Sequence, residues 1–243
     1  MTEPAGYTPQ PLAERARRLA REQGAVPVAR RLGRWGAEAL FGLPWTVAGS
    51  RGEFELGGRR YPYLFDRYKR TWLTERAVEV PVIGALVDSH GDGRVLEVGH
   101  VLGHYRDGHH VVVDKYERAL GVLNRDALEL ADLGRFDLIV AISTLEHVGW
   151  DEQPHDPSKA MRAVQALRAM LAPGGRLELT VPAGYNPSFD AALRGMRLEY
   201  SGALRRTGSG ASWREVTPDE AWSAPYDFLL YRARGLLFAS IRG

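Results

Sequence analysis

Residues 94–103, Arg94-Val-Leu-Glu-Val-Gly-His-Val-Leu-Gly103, read as a short apolar strand running directly into a glycine-bearing loop. In an open parallel sheet, ligands bind beyond the carboxyl ends of the strands, and glycine there lets a ligand approach the backbone. Working outward, further strands are predicted at His110–Asp114, Val122-Leu123, Phe136–Ile142 and Arg176–Val181, with two more near Leu198–Leu204 and Leu236–Ile241. Between the fourth and fifth strands the pattern predicts a helix capped by Asp156, with Pro157 at its first position. Ala163, Leu167 and Leu171 form its apolar face, and Pro173-Gly174-Gly175 ends it. The first two crossovers, Gly99–His109 and Lys115–Gly121, are too short for full helices. Strands alternating with helices predict an α/β, Rossmann-like doubly wound sheet, mostly parallel and of about seven strands.

The chain of 243 residues allows one domain and an appendage. With 44% hydrophobic and 26% charged residues it is globular in composition, which excludes disordered and fibrous classes. It has no cysteine, which excludes disulfide scaffolds, zinc fingers, iron–sulfur sites and thiol catalysis. No apolar run approaches the ~20 residues of a membrane span, and MTEPAGYTPQ lacks signal-peptide order, so a soluble cytoplasmic protein is expected. Of 32 basic residues only Lys69, Lys115 and Lys159 are lysine, a bias attributed to a GC-rich genome.

Charge is unevenly placed. Residues 1–70 hold 13 Lys/Arg against 7 Asp/Glu, whereas residues 71–243 are net acidic. The expected division is therefore an N-terminal extension, 1–70, and a main domain, 71–243. Residues 1–10 predict a disordered lead-in. Two basic amphipathic helices follow, with Leu12, Ala16, Leu19 and Ala20 on one apolar face. Val28, Leu32, Trp35, Ala39 and Leu40 form the other. Such a pair, over residues 11–42, fits packing on the domain or peripheral contact with a membrane or a protein. Phe54, Leu56, Tyr61 and Tyr63 flank Gly57-Gly58 as in a hairpin, and Thr71–Val87 predicts a helix in two parts with Pro81 as a kink or break between them.

The chemistry-bearing residues cluster at strand ends. Val101 stands where a dinucleotide fingerprint needs glycine, and no GxxxxGK[ST] occurs, so NAD, FAD and nucleoside triphosphate chemistry are disfavoured. Asp114 closes the second strand, where a carboxylate would accept from ribose hydroxyls, and Asp126 follows the third, where one would accept from an adenine amino group. Together they describe a pocket for an adenosine-bearing ligand.

VLEVGHVLG, VVVDKYE, NRDALEL, FDLIVAISTLEHVGW and LAPGGRLELTVP, over about residues 72–182, resemble in order and spacing the five core motifs of class I S-adenosylmethionine-dependent methyltransferases. A softer resemblance is to bacterial methyltransferases of glycan and natural-product pathways. The resemblance implies that S-adenosyl-L-methionine is the cofactor. Glu97, Gly99 and Gly103 would border its methionine end, Asp114 its ribose, Asp126 and Ala127 its adenine, and Ser143 and Thr144 would lie beneath the sulfonium. The expected acceptor is a hydroxyl of a small molecule, a sugar, glycan or metabolite.

A hydroxyl must lose a proton, and His147 is the expected general base, with Glu146 orienting it or binding substrate. Arg76, Tyr185 and Asn186 are expected to bind substrate. Ser143 stands where some ubiquinone-pathway relatives carry a metal-binding Glu, so no metal is expected. His104, His109 and His110 are expected on the surface. No NPPY-type tetrapeptide follows the fourth strand, and the acidic balance of 71–243 argues against a nucleic-acid substrate. The alternatives are a non-catalytic scaffold of the same fold docking through residues 11–42, and a nucleic-acid methyltransferase.

Overall fold

The computed structural model describes residues 10–48, 50–196, 198–208 and 212–243. All but Gln10 of the expected lead-in lies outside the described residues. Helices α1 (Leu12–Gln23) and α2 (Ala25–Gly42) come first, then a separate antiparallel hairpin of β1 (Glu53–Leu56) and β2 (Arg59–Pro62), with Phe54 opposite Tyr61. After it come α3 (Arg76–Asp88), β3 (Val95–Val98), β4 (Val111–Val113), β5 (Val122–Leu123) and β6 (Phe136–Ile142). The chain continues through α4 (Lys159–Ala169), β7 (Leu171–Pro182), α5 (Pro187–Arg194), β8 (Glu199–Arg206), β9 (Trp213–Glu215), α6 (Pro218–Trp222) and β10 (Gly235–Arg242).

The main sheet runs β5-β4-β3-β6-β7-β10-β8-β9. Its first five strands are mutually parallel, whereas β10 is antiparallel to both β7 and β8. This order, with an antiparallel strand inserted beside the fifth, is the class I methyltransferase fold. An eighth strand, β9, extends the edge beyond the expected seven. Strand order reverses between β4 and β6 around β3, which places a ligand crevice at the carboxyl ends of these strands.

The apolar run of β6 supplies both faces of the sheet, because successive strand residues point to opposite sides. Ile139 and Ala141 join the cluster under α4 with Val164 and Leu167. Leu138, Val140 and Ile142 join the opposite one with Val78 and Ile83 of α3 and with Phe54, Leu56 and Trp72.

Several local expectations are corrected. The helix near residues 71–87 does not break at Pro81: α3 runs through it, and the Ala77 carbonyl that Pro81 cannot use accepts instead from Leu64 N at 2.9 Å. Residues 68–73 form separate 3₁₀ turns with a kink at Lys69 and Arg70, both at positive φ. The α4 helix begins after Ser158 rather than at Pro157, with the Asp156 carboxylate accepting from Ser158 N and Oγ at 3.0 and 2.6 Å. Pro173-Gly174-Gly175 lies inside β7, which already pairs with β6 at Leu171. On α2, Val28 and Ala39 are buried as expected, but Leu40 and Phe41 are exposed. Glu38 is buried instead and pairs with Arg232 at 2.7 Å.

The basic helices dock on the main sheet's carboxyl side by specific polar contacts. Arg31 pairs with the buried Asp227 at 2.5 Å, and Arg15 Nη1 donates to the carbonyls of Phe228 and Leu229 at 3.0 and 2.7 Å. No helix among the described residues is long and apolar enough to cross a membrane.

Trp72 is 1% exposed and donates from its indole to the Glu38 carbonyl at 3.1 Å, so it pins α2 to the lead-in of α3. Trp72→Ala is expected to cost ~3–5 kcal/mol of stability, read from urea unfolding midpoints.

Candidate active site

A cavity of about 540 Å³ opens at the carboxyl ends of β3, β4 and β6, within the range of small-molecule sites. Its floor is set by two tight turns. At the end of β3, Gly99 has φ +88°, and a Cβ there would stand 2.2 Å from Thr144 Oγ1. At the end of β6, Ser143 adopts φ +40°, its N–H donating to Thr180 Oγ1 at 2.8 Å and its hydroxyl to Glu79. The two turns thus touch, and no side chain fits between them.

Of the expected cofactor residues, Gly99, Asp114, Asp126, Ala127, Ser143 and Thr144 all line this cavity. Glu97 and Gly103 are not among the lining residues. Glu97 is fully buried beneath the loop, its Oε1 accepting from Val101 N and Leu102 N at 2.8 Å each and its Oε2 bonded to His110 Nε2 at 2.7 Å. It shapes the loop from below and does not itself line the cavity. His110, expected at the surface, is its buried partner, with 8% of its side chain exposed.

Asp114 is already well used: Oδ1 accepts from Tyr116 N and Glu117 N at 2.8 Å each, and Oδ2 from His100 N at 3.0 Å. Oδ2 keeps one acceptor direction open, since a carboxylate has about four. Asp126 Oδ2 sits between Lys159 Nζ at 2.6 Å and Lys115 Nζ at 2.9 Å, and Glu152 bonds both ammoniums. Burial opposes ionisation of Asp126, but the two lysines outweigh it and hold the carboxyl at about 2. Sequence reading missed this four-residue ion cluster, because its members are far apart in the chain.

Arg76 also lines the cavity. Its Nη1 donates to Glu79 Oε2 at 2.7 Å and to the Ile142 carbonyl at 3.1 Å. Burial works against its charge, yet the carboxylates of Glu79 and Glu75 outweigh it and raise its pKa. The guanidinium is therefore a fixed cation at the end of β6, with donors left for an anionic group.

His147 follows on a single 3₁₀ turn and lines the cavity with 46% of its side chain exposed. Its Nδ1 meets Asp151 Oδ2 at 2.5 Å, and the same oxygen accepts from Tyr185 OH at 2.6 Å. Partial burial pulls the imidazole down, but the Asp151 hydrogen bond outweighs it and raises the pKa above the usual histidine value. Asp151, four residues on in EHVGWDE, is a functional group that sequence reading passed over; its i+4 spacing from His147 was the available signal.

Glu146 is 1% exposed and lies behind His147, with Oε1 3.7 Å from Nε2. Neither carboxyl oxygen has a hydrogen-bond partner among the described residues. Burial pushes its pKa up to about 8, so it is largely protonated at neutral pH.

The expected substrate contacts are corrected at two positions. Asn186 is fully buried: its Oδ1 caps α5 by accepting from Phe189 N at 3.0 Å, and its Nδ2 donates to the Glu146 carbonyl at 2.9 Å. It holds the His147 turn and, being fully buried, presents no edge to the cavity. Tyr185 is buried behind His147, 4.6 Å between ring centroids, and supports it rather than lining the cavity. Tyr231 does line the cavity, together with Tyr68, Tyr105 and Tyr116, and Arg15 stacks 4.7 Å from the Tyr231 ring centre.

No protein-family model matches the chain, and no curated protein matches it. Among solved structures it is similar to the N-methyltransferase NodS from Bradyrhizobium japonicum WM9 in complex with S-adenosyl-l-homocysteine, at TM-score 0.40 and 20% identity over 67% of this chain and 84% of that one. It is also similar to CalS10, an amino pentose methyltransferase from Micromonospora echinaspora, at TM-score 0.36 and 18% identity over 67% and 89%. These likenesses are distant, and the fold stands on the strand order itself.

A carboxyl whose folded pKa is raised holds its proton longer in the folded than in the unfolded chain, so it stabilises below the unfolded value and loses that contribution as pH climbs toward about 8. Glu146→Gln, which mimics the neutral form, is expected to gain stability relative to the parent between about pH 5 and 8. Thermal melts across that range measure it; parallel curves for the two proteins would contradict the assignment.

Proposed function

We propose that the protein is an S-adenosylmethionine-dependent methyltransferase acting on a hydroxyl of a small molecule such as a sugar, glycan or metabolite. The observation that carries this reading is one cavity holding both the side-chain-free turn at Gly99 and the exposed edge of the Asp151-held imidazole of His147.

The residues present fit the cofactor. Gly99 leaves a cradle that a Cβ would close, Asp114 retains one acceptor direction for a ribose hydroxyl, and Arg76 offers a charged donor to a carboxylate. Ala127 leaves the adenine side small, and Ser143 and Thr144 would underlie the reacting centre. When bound, S-adenosylmethionine supplies a methyl carbon already activated by a positive sulfur. The chain's own work is then to position the acceptor and to remove its proton.

His147 is suited to that proton. Asp151 fixes the ring through Nδ1, leaving Nε2 as the free basic nitrogen, and it raises the basicity of the imidazole. An alcohol needs such a base at the moment of attack, whereas an amine can shed its proton to water beforehand; this favours oxygen as the acceptor atom.

Isothermal titration with S-adenosylmethionine is expected to show one site per chain; no binding would overturn the enzyme reading in favour of a scaffold of the same fold. His147→Ala should lower turnover by about 10²–10⁴-fold while leaving cofactor affinity unchanged. The acid limb of kcat should lie above pH ~6.5, because the base must be neutral and its pKa is raised. Mass spectrometry and NMR of the product decide the acceptor: an N-methyl product would overturn oxygen while leaving methyl transfer intact.

A further inference from the structure

The rim of the cavity carries a second constellation that methyl transfer does not use. His100 lies in the loop after β3, His104 at the end of the 3₁₀ turn that follows, and Glu117 in the turn after β4. One carboxylate oxygen, Glu117 Oε1, stands 3.1 Å from His100 Nδ1 and 2.9 Å from His104 Nε2, and the three potential ligand atoms lie within 4.8 Å of one another. We infer that His100, His104 and Glu117 form a binding site for a divalent transition-metal ion.

The distances suit a metal. Ligands at ~2.0–2.2 Å around a tetrahedral ion are separated by roughly 3.3 Å, so both edges that end on Glu117 are already close to coordination spacing. Closing the third edge takes small side-chain rotations. Two imidazoles and one carboxylate are the donor set for zinc and its first-row neighbours, in preference to magnesium or calcium, which take oxygen alone.

The surroundings hold the ligands in this arrangement. Asp114 clamps both halves at once, since its Oδ2 binds the N–H of His100 while its Oδ1 binds that of Glu117. Asn124 Nδ2 adds a donor to the Glu117 carbonyl at 2.6 Å. Gly103 is required for the His100 ring, because a Cβ there would fall 2.3 Å from its Nε2. Tyr68 stacks on His104 with 4.4 Å between ring centroids, which fixes the ring plane, and its hydroxyl, 3.3 Å from Nε2, would yield that nitrogen to the ion. The three ligands are partly buried, with 12%, 20% and 38% of their side chains exposed, so an ion there is shielded yet reachable from solvent.

All three also line the candidate cofactor cavity. Three protein ligands leave a fourth position open, as in catalytic rather than structural zinc sites, and an ion would lock the β3 loop against the β4 turn at the cavity mouth. That bearing on methyl transfer rests on the function proposed above; the binding itself does not.

The test uses tag-free, chelator-stripped full-length protein and Co²⁺ as a visible probe, without any methyl donor. The wild type should bind one Co²⁺ with d–d bands characteristic of low coordination number, displaced by Zn²⁺. His104→Ala and Glu117→Gln should each weaken binding by at least about tenfold, while His155→Ala, at a histidine elsewhere, should not. Circular dichroism of the metal-free variants verifies folding. X-ray absorption of the zinc-loaded wild type supplies a readout free of mutation and should show two imidazole ligands. Absence of binding by the wild type, wild-type affinity in either site variant, or a spectrum without imidazole scattering would each overturn the inference. Cofactor titration fails or succeeds independently, so the two proposals are separable.

Discussion

A single buried carboxylate, that of Glu79, ties together the elements that make the crevice. One oxygen accepts from Ser143 and from Thr180 Oγ1 at 2.7 Å, and the other pairs with Arg76 at 2.7 Å. These contacts connect α3 to the carboxyl ends of β6 and β7, where the sheet would otherwise present unpartnered polar groups. A buried carboxylate left without partners would cost several kcal/mol, so the four groups must move together or not at all. The φ +40° turn at Ser143, the close approach of Thr144 to Gly99 and the placement of Arg76 all follow from this one fixture.

From that fixture the site divides into a rigid half and an electrostatically poised half. The rigid half is the β3 loop, laced by Glu97 from below and Asp114 from the side. The poised half is the 143–151 segment, where Glu146 is held neutral by burial and His147 is made more basic by Asp151. Two adjacent titratable groups, both with raised pKa values, thus sit beside the cavity, and groups perturbed in this way cluster at functional sites.

The N-terminal extension belongs to this arrangement rather than standing apart from it. Arg15 and Arg31 hold the segment around Asp227–Tyr231, and Tyr231 borders the cavity. The exposed arginines Arg17, Arg18 and Arg21 remain on the outer face of α1. The sequence reading of this region as a basic amphipathic pair was sound about its chemistry. It could not see that a few of the arginines are committed to carbonyls and a buried aspartate more than 190 residues away.

What the sequence by itself determined was the parallel core and the positions of the cavity-facing turns. Strand periodicity, chain direction and the glycine at residue 99 are local properties, and local properties are written in consecutive residues. Even the stunted crossovers after β3 and β4 were readable from their length. What only the tertiary structure decided was the use of each polar group. Glu97 supports the loop from below, Asp126 is held between two lysines, Asn186 caps α5, and His100 and His104 converge on Glu117. Each of these roles depends on which donors and acceptors meet across distant strands. A buried polar group takes whatever partner the fold brings to it, and that partner is not written in its neighbours.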